Sequence, residues 1–255
     1  MRFASLGSGS QGNALIVEAG ETKVMVDCGF STRMATARLA RLAAAADDLD
    51  AILVTHEHAD HVGGVFAFAR RHRLAVYLTH GTHAAASRGV AALPECRLID
   101  GHSPFSIGDL EVMPFPVPHD AREPVQYLFG DGRHRLGVLT DTGSITPHIV
   151  EILAACDALV LECNHDAALL AASRYPAVLK QRIGGRFGHL ENSQAADLLR
   201  QVETGRLQHL VAAHLSQENN RPELAVSALA GALGCSEDWI GVADQEGGFA
   251  WRQLV

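Results

Sequence analysis

Short apolar runs, broken by glycine, proline and charged residues, alternate along the chain with stretches of helical period. Residues 2–6, 15–19 and 23–27 predict strands from their alternation and β-branched content, the last two around the turn Gly20-Glu21. The alanine-rich stretch 32–45, with Leu39 and Leu42 on one face, predicts a helix. Ala51-Ile52-Leu53-Val54 reads as a buried strand, residues 62–72 as a helix, 74–78 as a strand and 82–90 as a short helix. Between residues 97 and 140 the pattern shifts to short runs at 97–99, 111–115, 126–129 and 136–139, a meander that predicts the second sheet of a sandwich. A helix at 147–154 starting with proline, a strand at 158–162 and a helix at 192–199 capped by Asn192 or Ser193 follow. A strand at 207–213, a helix at 224–233 and closing strands at 239–242 and 248–254 complete the chain. No linker, repeat or low-complexity segment intervenes, so residues 1–255 are expected to form one domain of two related halves.

Composition changes this picture little: 255 residues, 47% hydrophobic and 20% charged, are ordinary for a soluble globular protein. No apolar run approaches the roughly 18 residues of a membrane span, and the glycine-broken N-terminus does not resemble a signal peptide. Five scattered cysteines, odd in number and without a C-x-x-C pair, argue against a disulfide framework and for a cytoplasmic location. A net charge of −8 supplies no global attraction for nucleic acid or membranes. Residues 167–190 reverse that sign, with Arg174, Lys180, Arg182, Arg186 and His189 and no acidic residue. The segment reads either as a solvated helix face or as a basic wall for phosphates.

The candidate chemistry concentrates in Thr55-His56-Glu57-His58-Ala59-Asp60-His61, directly after a predicted strand. Imidazole nitrogen and carboxylate oxygen are the donors that Zn²⁺ and similar borderline ions take. His56 and His58 lie two apart, so an extended backbone puts both on one face where they can grip one ion. Asp60 and His61 begin the next turn and can point at a second, and Gly63-Gly64 permits a tight turn. Residues 7–13, Gly-Ser-Gly-Ser-Gln-Gly-Asn, read either as a hairpin connection or as a loop whose amides and hydroxyls face the site.

The pattern H-x-H-x-D-H resembles the signature of the metallo-β-lactamase superfamily. The resemblance implies an α/β four-layer αββα sandwich with two divalent metal ions, zinc or manganese, at one edge. It implies that His56, His58 and His119 hold one ion, that Asp60, His61 and His214 hold the other, and that Asp141 bridges them. His119, Asp141 and His214 each sit at a predicted strand end. Asp27 is implied as a support that orients the ligand loop, and Asp60 as a group that also orients the nucleophile. Such a pair of ions lowers the pKa of a bridging water toward about 7, which makes hydrolysis the expected reaction. His58 stands where the oxygen-reducing di-iron branch usually has glutamate, and Asp141 where the penicillin-hydrolysing enzymes usually lack aspartate, so both branches are disfavoured.

Residues 7–13, Glu-Cys-Asn-His-Asp at 162–166, Leu-Lys-Gln-Arg-Ile at 179–183, Gly-His-Leu-Glu-Asn at 188–192 and His-Leu-Ser-Gln-Glu-Asn-Asn at 214–220 resemble the YycJ/WalJ group, which is related to ribonuclease Z and phosphodiesterases. Glu191 departs from the serine expected there. This resemblance implies 5′-to-3′ exonuclease action on DNA. Substrate contacts are expected from Ser8 and Asn13 of the 7–13 loop, from Lys180, Arg182 and Arg186 of the cationic segment, and from Asn192 and Asn220. His189, before a predicted helix start, is a candidate general acid for the leaving alkoxide or a group that only positions phosphate. Two other readings remain open: a thioester or lactone hydrolase of the glyoxalase II kind, and a metal-stabilised binding module.

Overall fold

Strand residues alternate between two hydrophobic environments, and that alternation builds the layers of the computed structural model, which describes residues 1–255. In the first half, strands β1 (Arg2–Gly7), β2 (Ala14–Ala19), β3 (Thr22–Val26), β4 (Ala51–Leu53), β5 (Ala75–Thr79) and β6 (Cys96–Ile99) alternate with helices α1 (Thr32–Arg41), α2 (Ala59–Val62), α3 (Val65–His72) and α4 (His80–Ala86). The second half holds β7 (Phe105–Ile107), β8 (Leu110–Pro116), β9 (Val125–Gly130), β10 (Arg135–Leu139), β11 (Ala158–Glu162), β12 (His209–Ala213), β13 (Ile240–Val242) and β14 (Phe249–Gln253). Its helices are α5 (Pro147–Ile152), α6 (Ala167–Ala172), α7 (Ala177–Ile183), α8 (Asn192–Gln201) and α9 (Pro222–Leu233).

Two seven-stranded sheets result, ordered β14-β1-β2-β3-β4-β5-β6 and β13-β12-β11-β10-β9-β8-β7. Val17, Val24, Leu53 and Tyr77 of the first sheet meet Val112, Tyr127, Val138 and Val160 of the second in a central core. The opposite faces are buried too: Ile16, Met25, Ile52 and Val76 pack with Ala35 and Leu39 of α1 and Phe68 of α3. On the far side, Leu139, Leu159 and Leu161 pack with Leu198 of α8 and Leu229 of α9. Three cores between four layers make an αββα sandwich, the fold implied by the H-x-H-x-D-H stretch. Strands buried on both faces explain why β5 and β11 read as continuous apolar runs rather than alternating ones.

In each sheet an antiparallel meander is followed by parallel strands: β3 to β6 in the first and β10 to β13 in the second. Parallel strands deliver successive chain segments to the same edge of a sheet, where open α/β sheets bind ligands. The loops after β3, β4, β10, β11 and β12 all leave at such ends.

Some boundaries differ from expectation for identifiable reasons. The strand expected at 97–99 belongs to the first sheet, not the second: α4 carries the chain back so that β6 runs parallel to β5. The helix expected over 32–45 stops at Arg41, because Ala43 takes a left-handed conformation at φ 52° and turns Ala44, Ala46 and Leu49 into the core. The helix expected over 62–72 is broken at Gly63-Gly64, where Gly64 donates to the Cys28 carbonyl at 2.7 Å. A β carbon on Gly64 would lie 1.8 Å from the Phe30 carbonyl oxygen, so only glycine allows that approach. Helix α8 starts after Glu191, not after Asn192 or Ser193: Gln194 reaches back to the Glu191 amide at 3.0 Å.

Candidate metal centre

The chain after β4 cannot continue as a strand, because Thr55 turns its amide and hydroxyl to the Asp27 carboxylate, both at 2.8 Å. Asp27 follows β3 with a left-handed backbone at φ 58°, a costly conformation that here aims its side chain into this network. Its second oxygen also holds His61 Nδ1 at 2.8 Å, which leaves His61 Nε2 pointing inward. Helix α2 is pinned from behind: the Asp60 carbonyl accepts from the Asn13 amide and the His61 carbonyl from the Cys28 amide, each at 2.8 Å.

The second half supplies the opposite wall. His119, after β8, gives Nδ1 to the Gly188 carbonyl at 2.9 Å and so turns Nε2 to within 3.3 Å of His58 Nδ1. Asp141, after β10, lies 3.2 Å from His61 Nε2 and 3.6 Å from His214 Nε2. His214, after β12, is the second left-handed residue of the site at φ 54° and donates its amide to Ser8 Oγ at 2.9 Å. Its Nε2 lies 3.3 Å from Asp60 Oδ2, and its Nδ1 is met by the Asn164 amide at 3.1 Å.

The donor atoms of His56, His58 and His119 lie within 4.8 Å of one another, as do those of Asp60, His61 and His214 and those of His56, His61 and Asp141. His56 Nε2 is buried with no hydrogen-bond partner, and Asp141 Oδ2, also buried, has only the His61 Nε2 ring nitrogen at 3.2 Å. Orphaned buried polar atoms cost about 1–3 kcal/mol each, and a divalent cation among them removes that cost. The residues present therefore fit metal ions. Asp141, Glu162, His189 and His214 also meet the spacing, but His189 Nδ1 and Glu162 Oε1 satisfy each other at 2.7 Å.

Burial and neighbouring charges together set the protonation of this cluster. It drives His56 well below the ordinary histidine value and His119 down to about 4, which keeps both imidazoles neutral and able to ligate. For His61 the same burial is outweighed by Asp141 and Asp27, which raise its pKa. Burial alone would raise Asp60, but hydrogen bonds with His214 and His61 bring it far below the carboxylate range. Burial pushes Glu162 well above that range, with Asp141 adding to the effect, and lowers His189 against the pull of Asp141, Asp60 and Asp120.

The donors face a cleft of about 350 Å³ whose far wall is Leu179, Arg182, Ile183, Gly188 and His189. Of the substrate contacts expected from sequence, Arg182 is on this wall, paired with Asp120. Lys180 is not: its amine donates to the Ala171 carbonyl on α6. Arg186 is exposed and does not line the cleft. Ser8 and Asn13 are buried beneath the centre, where Asn13 Nδ2 lies 3.1 Å from His61 Nε2, so they brace ligands instead of meeting solvent. Asn192 and Asn220 do not reach the cleft either, because their buried side-chain amides pair with each other in both directions at 2.9 Å. Sequence reasoning assigned no role to Thr55, Glu162, Asn164 or Asp120; Glu162 and Asn164 lie inside the motif at 162–166, but nothing in their spacing shows what they touch.

Residues 22–214 match the model of the beta-lactamase superfamily domain. The chain is 36% identical over 250 residues to exodeoxyribonuclease YycJ of Bacillus anthracis, covering 96% of this chain and 92% of that protein. It is 33% identical over 245 residues to exodeoxyribonuclease WalJ of Streptococcus pneumoniae, covering 94% and 91%. The fold is similar to that of the metallo-beta-lactamase fold protein YhfI of Bacillus subtilis, with a TM-score of 0.76, 14% identity and 98% of both chains covered. With its histidine and aspartate clusters at one sheet edge, the chain belongs to the metallo-β-lactamase superfamily of metal-dependent hydrolases, in the group of YycJ and WalJ.

Proposed function

We propose that the protein is a dinuclear metal-dependent phosphodiesterase that removes nucleotides from DNA ends, in the 5′-to-3′ sense expected from sequence. His56, His58 and His119 would hold one ion, zinc or manganese, and Asp60, His61 and His214 the other, with Asp141 between the two groups of donors. When bound, such ions supply a water nucleophile near neutral pH and offset charge developing on a phosphoryl oxygen.

The observation that carries the choice of substrate is the His189–Glu162 pair in the same cleft as the ligand triads. A thiolate, with an ordinary pKa of about 8.5, departs without help, whereas a sugar alkoxide needs a proton as it leaves. With Nδ1 held by Glu162, His189 keeps Nε2 for the cleft and is oriented as a proton donor. A phosphate beside the ring favours the imidazolium form, offsetting the burial that lowers its pKa. Asp60 has the second task of orienting the nucleophile. Arg182 moves from Asp120 to a phosphate of the substrate. The names of YycJ and WalJ as exodeoxyribonucleases support the same reading.

Incubating the purified protein with single-stranded and duplex oligonucleotides, beside a thioester, tests the proposal. Nucleotide release that depends on Mn²⁺ or Zn²⁺ is expected, with little thioester cleavage. Thioester cleavage with DNA left intact would establish the glyoxalase-like alternative.

A further inference from the structure

The turn at residues 184–188 joins α7 to His189 and carries two exposed side chains, Arg186 and Phe187. Phe187 is 57% exposed, although phenylalanine is among the residues most often buried, and its neighbour Gly188 lines the cleft. The turn is held fast. The Arg186 carbonyl accepts from Ser144 Oγ at 3.2 Å, the Gly188 carbonyl engages His119 Nδ1 at 2.9 Å, and the His189 amide donates to the Ile183 carbonyl at 2.8 Å. Backbones approach so closely here that a β carbon on Gly143 would lie 2.4 Å from the Gly188 nitrogen. Phe187 is thus displayed by a fixed turn tied to a candidate ligand.

One exposed apolar residue needs no explanation by itself. The conjunction with charge does: Phe187 directly follows Arg186, in a segment with four cations and no acidic residue within a chain of net charge −8, and Arg182 of the same segment lines the cleft. A cationic groove that tracks phosphates, interleaved with an aromatic ring on which a base can stack, is how single-stranded nucleic acid is held without regard to sequence. We infer that Phe187 is the stacking platform for one base of a single DNA strand entering the cleft, with Arg186 on an adjacent phosphate. Inside a duplex both faces of a base are covered by neighbouring pairs and only the terminal pair exposes one, so single-stranded or frayed ends, whose bases are free to turn onto the ring, are the favoured substrates.

This rests on the DNA reading above, and the test separates the two. The kcat/KM for nucleotide release from short single strands is measured for the wild type, Phe187→Ala and Phe187→Trp, with intact oligonucleotides and with ones carrying one abasic site at successive terminal positions. Phe187→Ala is expected to lose roughly ten-fold, mostly through KM, and Phe187→Trp to restore it. At one position the abasic site costs the wild type a similar factor and costs Phe187→Ala nothing further. Equal rates for the wild type and Phe187→Ala, or losses that add fully at every position, would overturn the stacking role while leaving the nuclease reading intact. Failure of the wild type to cleave any oligonucleotide would overturn the DNA reading and this inference together.

Discussion

His189 and Glu162 illustrate how little a residue's identity says until its partners are known. Glu162 is fully buried at the end of β11, accepts the Thr142 amide at 2.8 Å and holds His189 Nδ1 at 2.7 Å. A buried carboxyl bound to a cleft histidine orients that ring, so the pair acts as a unit. If His189 protonates the leaving group, His189→Ala lowers hydrolysis of DNA by roughly 10²-fold or more. The loss is far smaller on bis(p-nitrophenyl) phosphate, whose leaving group departs without a proton. Equal losses on both substrates would make His189 a phosphate-positioning residue. Glu162→Gln should show the same substrate-dependent pattern, weaker because a positioned amide still fixes the ring. Asn220 gives a residue-scale test of stability. Replacing it by alanine leaves the buried Asn192 amide unpaired and costs about 1–3 kcal/mol, which at this chain length lowers Tm by roughly 2–4 °C per kcal/mol. An unchanged melting curve would mean that the amide pair is not a support of the site.

Elements place these residues, and the turn between α7 and α8 does so through close backbone packing. A β carbon on Gly188 would lie 2.1 Å from both the Arg182 and Ile183 carbonyl oxygens. Gly188→Ala must therefore push the turn outward, and with it the carbonyl that orients His119 and the start of His189. Activity is expected to fall at least ten-fold and Tm to fall with it, because the clash is with backbone, as read by steady-state rates beside thermal melts; full activity would show that this turn does not set the geometry. The same turn shows where reading the sequence stops. The H-x-H-x-D-H stretch was legible because its donors are adjacent along the chain and follow an apolar run. His119, Asp141 and His214 could be placed at strand ends by pattern, and their convergence with the first cluster came only with the resemblance. The Asn192–Asn220 pair and the Glu162–His189 pair link residues 28 and 27 positions apart. No local periodicity encodes such contacts, which is why the sequence predicts substrate contacts at Asn192 and Asn220 and no role for Glu162. Strand β6 joins the first sheet against expectation for a related reason: a short strand carries no mark of which neighbour it will pair with.

At the scale of the whole molecule, two similar sheets present their strand ends along one edge, and each half contributes ligands to a shared centre. The acidic balance of the chain makes attraction to a polyanion a local matter for Arg182 on the cleft wall and the exposed Arg186 of the neighbouring turn. Replacing both by glutamine should weaken DNA binding and flatten the plot of log K against log salt by about 0.7 for each phosphate of a single strand that is no longer neutralised; an unchanged slope would place the DNA elsewhere. No helix of the molecule is long and apolar enough to cross a membrane. Because Asp141 lies between the two groups of donors, Asp141→Ala is expected to strip most bound metal and nearly all activity. The most direct test of the central claim is to titrate Mn²⁺ into chelator-stripped protein while following nucleotide release from a short DNA strand. The account predicts no release without metal and a rise that reaches its plateau at two equivalents per chain. Full activity in the stripped protein, or a plateau at one equivalent, would contradict it.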